Sequence, residues 1–372
     1  MSETKISQKA KELFKIDRPF AITMWEFSWI ERRWPGAGYE DWDQALTELT
    51  DRGYDAVRID AFPHLMAWDA HREWTLDPVW NLQTWGSPAV NKITLYDDMR
   101  EFLKACRRHH VRVGLSTWFR RDKDNTLMSI LTPQDHAKIW IKTLDYIKEW
   151  GELDNILYVD FCNEWPLDVW APFFTRQYGA QGIDGKDSVW WMKETIQEFK
   201  KQYPQIPATF SFTGPVRDSH MDVSFLDFIE QHTWMPTASE FYEKVGYDYA
   251  RFDDRGYTNL ALNGERIYRE SKEHYDQCLV DEIHRVAQWA QKWEKPLVTT
   301  ECWSVVDYKD WPLLHWDWIL DLNRLGVTTA SATGCWAGIA TSNFCGPQFV
   351  GMWREKEWHQ ELTQLIHDST MM

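Results

Sequence analysis

Eight short apolar runs recur along this chain, and amphipathic helical stretches separate them. That alternation narrows the fold more than any other feature. The runs are Phe20 to Trp25, Asp55 to Phe62, Val111 to Phe119, Asn155 to Cys162, Ala208 to Phe212, Phe225 to Trp234, Leu297 to Glu301 and Val327 to Gly334. The intervening stretches carry helical periodicity and start signals. Leu95 to His110 places Met99, Phe102, Leu103 and Cys106 on one stripe, and Thr132-Pro133-Gln134-Asp135 reads as a capped helix start. Helices are also expected over 188–203, 268–293, 311–325 and 355–367. Strand and helix in strict alternation build a parallel sheet, and eight repeats close it into a barrel. The expected fold is α/β: a single (β/α)8 TIM barrel over residues 1–372, with long loops on its C-terminal face. Residues 1–18 form an N-terminal arm. Residues 63–94 make a long irregular connection, and residues 235–267 make the largest loop insertion. A plain barrel uses about 250 residues, so roughly 120 remain for such loops.

Composition excludes some partners. Lys and Arg number 41 against 57 Asp and Glu, a net charge of −16. So acidic a surface repels phosphate backbones and anionic headgroups, which predicts no nucleic-acid and no membrane partner. Six cysteines show neither CxxC pairing nor Cys/His zinc spacing. Reduced thiols and no visible signal peptide predict a cytoplasmic protein without metal or other cofactor. Nothing in the sequence specifies the oligomeric state. The 25 tryptophans mostly serve as core, with a handful expected to line a cleft where indole faces meet sugar C–H faces.

Two strands deliver a glutamate at their C-terminal ends. Ile156 to Phe161 runs into Asn163-Glu164, and Leu297 to Thr300 runs into Glu301. A carboxylate beside a core needs partners or a shifted pKa. Strands four and seven lie across a barrel mouth from each other, so both carboxylates can face one substrate. Glycosidic hydrolysis needs such a pair, one to protonate the leaving oxygen and one to attack or to activate water. On a regular strand Asn163 and Glu164 would point to opposite faces, so both reach a ligand only if the strand ends irregularly. Glu164, near the cleft wall, is expected to hold a proton at neutral pH. Glu301, near Arg58, is expected to be ionised.

These residues resemble the clan A glycoside hydrolases, and within them the cellulase-like proteins near family 5. The resemblance rests on Val57-Arg58-Ile59, Asn163-Glu164, His232, Thr300-Glu301 and Trp336, and it covers residues 20–367. It implies a retaining hydrolase of β-linked oligosaccharides or glycosides, with Glu164 as acid/base and Glu301 as nucleophile. It also implies that Asn163 bonds a sugar hydroxyl, that Arg58 keeps Glu301 ionised, and that Trp336 floors the sugar site and precedes a cis peptide. Trp25, Trp118, His232, Trp234 and Trp303 complete the expected carbohydrate-binding set. Trp165 stands where Asn-Glu is usually followed by Pro, and Trp234 where many relatives carry Tyr. Those departures motivate an alternative, a non-catalytic sugar-binding protein on the same barrel. A third reading, a metal hydrolase using Asp60, His64 and His71, lacks standard ligand spacing.

Overall fold

The computed structural model describes residues 4–79, 87, 89–216, 221–248, 254–308 and 314–371. Its centre is a parallel barrel. The strands are β1 Phe20–Glu26, β2 Ala56–Asp60, β3 Arg112–Ser116, β4 Ile156–Asp160, β5 (Ala208–Thr209 and Ser211–Phe212), β6 Ile229–Gln231, β7 Leu297–Thr299 and β8 Trp336–Ala340. Each pairs with its sequence neighbours, and β1 pairs with β8 through Phe20↔Gly338. Strand β5 closes the ring. Its first half pairs with β4 (Val159↔Ala208) and its second half with β6 (Ser211↔Glu230). The break at Phe210 lets one short strand turn between two neighbours in a strongly twisted sheet.

The N-terminal arm is the helix Lys5–Phe14, capped by the Thr4 side chain. Phe14 is fully buried, with ring centroids 5.6 Å from Phe20 and 5.1 Å from Phe228. These residues sit where β1 and β6 begin, so the helix plugs the N-terminal end of the barrel and leaves the opposite end for chemistry. The expected helix starting at Thr132 is present as Pro133–Glu149, with Thr132 Oγ1 accepting from the Asp135 amide at 3.1 Å.

Three expectations change. Residues 327–334 are not strand eight; they end the helix Asp317–Thr333, which Gly334 closes in the left-handed region at φ 70°. Their β-branched and small residues mimic a strand locally, but Gly326 does not stop the helix. A Cβ there would lie 2.4 Å from Trp303 Cγ, so the glycine lets the helix lie against that indole. Second, residues 63–94 are not structureless, since they hold the helix Pro63–Asp69 and an antiparallel pair, Glu73–Leu76 with Asn91–Thr94. Trp80 and Trp85 lie outside the described residues. Third, the 235–267 insertion contains the helices Phe241–Val245 and Asp254–Glu270, and the expected helix 268–293 starts only at Lys272. Residues 249–253 lie outside the described set.

Candidate active site

Arg58, near the end of β2, is wholly buried at the axis of the barrel. A buried guanidinium must spend its donors on nearby acceptors. Its Nη1 donates to Thr300 Oγ1 at 3.1 Å and Glu301 Oε1 at 3.0 Å. Its Nη2 donates to Asp160 Oδ2 and Asn163 Oδ1, each at 2.7 Å, and to Ser116 Oγ at 2.9 Å. Glu230 Oε1 lies 3.6 Å from Nε. One arginine thus ties together the ends of β3, β4, β6 and β7. It pairs with neither Asp60 nor Glu26. Burial opposes its charge, but Glu230, Asp160 and Glu301 overcome that and hold it firmly protonated.

Glu164 reaches the same centre because β4 ends irregularly. Beyond Asp160 the chain still bonds alternately to both neighbours: Phe161 N to Thr209 O, Asn163 N to Thr117 O and Trp165 N to Ser211 O, all at 2.9 Å. Within that path Glu164 takes φ +48°, and the Trp165–Pro166 peptide is cis. The irregular end, with its left-handed residue, lets Asp160, Asn163 and Glu164 turn to one centre, whereas a regular pleat would put Asn163 on the opposite face. Trp165 is buried and donates to Ser188 Oγ at 2.9 Å, so it packs behind the site.

His232 joins the two glutamates. Its Nδ1 lies 3.0 Å from Glu164 Oε1 and 3.7 Å from Glu301 Oε2. Its Nε2 faces Glu230 Oε1 at 3.7 Å. One oxygen of each glutamate and the imidazole nitrogen all fall within 4.8 Å of one another. The Trp170 indole donates to Glu164 Oε2 at 3.4 Å. Burial alone would lower the pKa of His232, but Glu301, Glu164 and Glu230 outweigh it and push it up to about 10.

The protons therefore sit differently from the sequence expectation. Burial favours neutral Glu164, yet the His232 bond and charge prevail and hold it below the usual carboxylate range. Glu301 is pushed up to about 7, chiefly by burial and then by the charge of Glu164, despite His232 and Arg58. In the unliganded site Glu164 is the ionised partner of a cationic histidine, and Glu301 is the glutamate that titrates near neutrality.

The tryptophans divide. The Trp118 ring lies under the Arg58 guanidinium at 4.6 Å, and Trp234 follows His232 on a short strand, Thr233–Trp234. The indoles of Trp25, Trp303 and Trp336 are spent on protein acceptors. Trp25 donates to Cys345 O at 3.2 Å and packs on Tyr39. Trp303 donates to Ala340 O at 2.9 Å and lies against the helix at Gly326. Trp336 opens β8 rather than following it, and donates to Thr299 Oγ1 at 2.8 Å. With strand eight shifted, its indole falls at the wrong end of the barrel. The cis peptide expected after Trp336 is absent; the non-proline one is Cys302–Trp303.

Glu164, His232 and Glu301 are also the one group among the described residues whose ligand atoms could bracket a cation. Asp60, His64 and His71 do not converge. Asp60 accepts the Phe62 and Trp118 amides at 2.7 and 3.0 Å, and His64 Nε2 lies 2.9 Å from Arg120 O. Sequence reasoning overlooked Asp160, Glu230, Ser116 and Ser211. Their inward positions on β4, β6, β3 and β5 follow from strand alternation, but only once Arg58 is known to need acceptors.

The model of the sugar-binding cellulase-like family matches residues 22–367. The chain belongs to the cellulase-like family. This cellulase-like protein is 50% identical to a structure from Parabacteroides distasonis ATCC 8503 proposed to be a glycoside hydrolase, over 95% of each chain, with TM-score 0.93. Its fold also matches the endo-β-1,4-mannanase of Thermotoga petrophila (12% identity, TM-score 0.52, 96% of this chain and 78% of that one). A third match is GH5_18 of Streptomyces cattleya in complex with GlcNAc (11% identity, TM-score 0.51, 94% and 80% covered). No curated protein matches the chain. No helix among the described residues is long and apolar enough to cross a membrane.

Proposed function

We propose that this cellulase-like protein hydrolyses β-glycosidic bonds with retention of configuration, using Glu164 as acid/base and Glu301 as nucleophile. The observation that carries the reading is the approach of the two carboxylates, with one oxygen of each within 4.8 Å of the other. Covalent, retaining hydrolysis uses carboxyl groups about 5–5.5 Å apart, whereas inversion needs about 6.5–9.5 Å for a water. Arg58, bonded to Glu301 Oε1 at 3.0 Å, favours the ionised nucleophile. His232 and Trp170 orient Glu164. Asn163 gives its carbonyl to Arg58, which turns its amide nitrogen toward a sugar hydroxyl. Attack by Glu301 forms a glycosyl ester while the proton that His232 shares with Glu164 passes through Glu164 to the leaving oxygen. Water then cleaves the ester with Glu164 accepting its proton. Six free cysteines, five of them buried, suit a cytoplasmic setting.

The family description, sugar-binding, supports one alternative, a carbohydrate binder without turnover. An aryl β-glycoside panel separates the two. Hydrolysis that disappears in Glu301→Ala, with a product of retained configuration by NMR, supports the enzyme. Sugar binding without hydrolysis supports the binder.

A further inference from the structure

Between the segments that follow β3 and β4 lies an open pocket that the Arg58 network does not use. The segment after β3 supplies Arg121 and Asn125; the segment after β4, with the helix Pro172–Tyr178, supplies Asp168, Thr175 and Arg176. The pocket holds about 590 Å³, within the range of about 300–1,000 Å³ usual for small-molecule sites. Both walls are anchored. The Phe119 and Phe173 rings meet edge to face at 5.0 Å, and Asp122 accepts the Thr126 amide at 2.7 Å and its hydroxyl at 2.6 Å. The second wall leads directly from Glu164. Leu167 N donates to Glu164 O and Trp170 N to Leu167 O, each at 3.0 Å, and the Trp170 indole returns to Glu164 Oε2.

The charge of this pocket runs against that of the chain. With 57 acidic residues against 41 basic ones, a surface arginine has carboxylates to choose from. Arg72, Arg100, Arg107 and Arg108 pair with Asp124, Asp97, Glu152 and Asp43. Arg121 and Arg176 are exposed, yet neither guanidinium has an ion-pair or hydrogen-bond partner among the described residues. Asp168 is the one carboxylate on the pocket wall, and it accepts the Thr175 hydroxyl. Asn125 is exposed too; its backbone amide donates to Asp122 O at 2.9 Å, which leaves the side-chain amide available. Two unpaired guanidiniums at one pocket repel each other until an anion sits with them.

We propose that this pocket is a subsite for an acidic sugar residue of the leaving group, with Arg121 and Arg176 holding its carboxylate or sulfate and Asn125 bonding a hydroxyl. The guanidinium fork matches two oxygens of either anion, and such charge-assisted bonds are the strong ones. The leaving oxygen is the atom that meets Glu164, so the sugars beyond it lie on the side of the loop that Glu164 begins. The substrate class that follows is an acidic β-linked oligosaccharide, cut so that an acidic residue stays on the reducing-end side of the broken bond. This inference rests on the glycosidase reading for the direction of the chain, but its test does not need turnover.

The test is calorimetric titration of the intact protein with short β-1,4 oligosaccharides of glucose and mannose, with their uronate and 6-sulfated counterparts, and with inorganic sulfate alone. At least one acidic oligosaccharide should bind about tenfold or more tighter than its neutral counterpart. That advantage should narrow as NaCl rises from about 50 to about 500 mM. Arg121→Gln and Arg176→Gln should each weaken the acidic sugar about fivefold or more and leave neutral binding and the melting temperature unchanged. Arg354→Gln, an exposed arginine paired with Glu355, controls for overall charge and should change nothing. A preference for the uronate assigns the anion as a carboxylate, and a preference for the ester assigns it as a sulfate; either supports the subsite. It is overturned by equal affinity for acidic and neutral sugars, by no binding of any acidic sugar, by a preference that survives both substitutions or falls equally in Arg354→Gln, or by sulfate alone binding as tightly as the acidic sugar. Aryl glycoside turnover is read separately. Arginine-dependent binding of acidic sugars without hydrolysis would keep the subsite and remove the glycosidase; hydrolysis with no acidic preference would do the reverse.

Discussion

His232 Nδ1 stands 3.0 Å from Glu164 Oε1, so the group expected to donate a proton is the ionised half of a buried pair. The proton rests on the imidazole, whose pKa is pushed up to about 10. Glu164 and His232 thus hold one proton between them, and coupled groups of this kind titrate as a unit. A leaving oxygen that displaces the imidazole contact would draw that proton through Glu164.

The pH profile follows. Glu301, pushed up to about 7, must lose its proton before it can attack. We expect kcat/KM to rise through an acid limb near pH 7 and to fall on a basic limb as the Glu164–His232 unit deprotonates. A profile flat from pH 5 to 9 would contradict the Glu301 assignment, and one with no basic limb through pH 11 would contradict the Glu164–His232 unit.

His232→Asn removes the cation that lowers both glutamates. The acid limb should then move to higher pH, because Glu301 loses its largest stabilising charge. An acid limb that stays in place would show that His232 does not set the charge of Glu301.

Arg58→Met would leave Asp160, Glu230 and Glu301 buried without their shared cation. Breaking a buried pair in this way costs about 3–5 kcal/mol. Urea unfolding should show a loss of that size together with lost activity. Arg58→Lys keeps the charge but not the fork, and should recover part of the stability.

Gly326→Ala separates packing from helix propensity. Alanine favours a helix interior by about 1 kcal/mol over glycine. Here its Cβ would meet Trp303 Cγ at 2.4 Å. Net destabilisation of about 1–3 kcal/mol is expected from overpacking. A rise in Tm would mean that Trp303 is not pressed against this helix.

His136 should contribute acid sensitivity. Its Nε2 lies 3.0 Å from Phe161 O, and its Nδ1 accepts the Trp191 indole N–H at 3.0 Å, so the ring is held neutral. Burial pushes its pKa down to about 4, against 6.5 when free. Between those values the unfolded chain binds a proton that the native state refuses, so stability falls as pH drops from 6.5 to 4. His136→Gln should start less stable and lose less across that window, measured as Tm against pH.

Much of this was legible in the sequence because it depends on local pattern. Apolar runs alternating with periodic helices determined the barrel, strand-end polar residues pointed to Asn163, Glu164 and Glu301, and the family resemblance added Arg58 and His232. The same local logic misplaced strand eight, since Val327 to Thr333 satisfies strand composition as readily as a helix. Only the tertiary structure decided what each tryptophan packs against. All five of Trp25, Trp118, Trp234, Trp303 and Trp336 follow strand patterns and all are buried, but Trp118 lies under Arg58 while Trp303 lies against a helix at Gly326. Proton placement was likewise beyond the sequence. A carboxylate's pKa is set by burial and by charges that arrive from other strands, and no spacing along the chain encodes that three glutamates would surround one histidine.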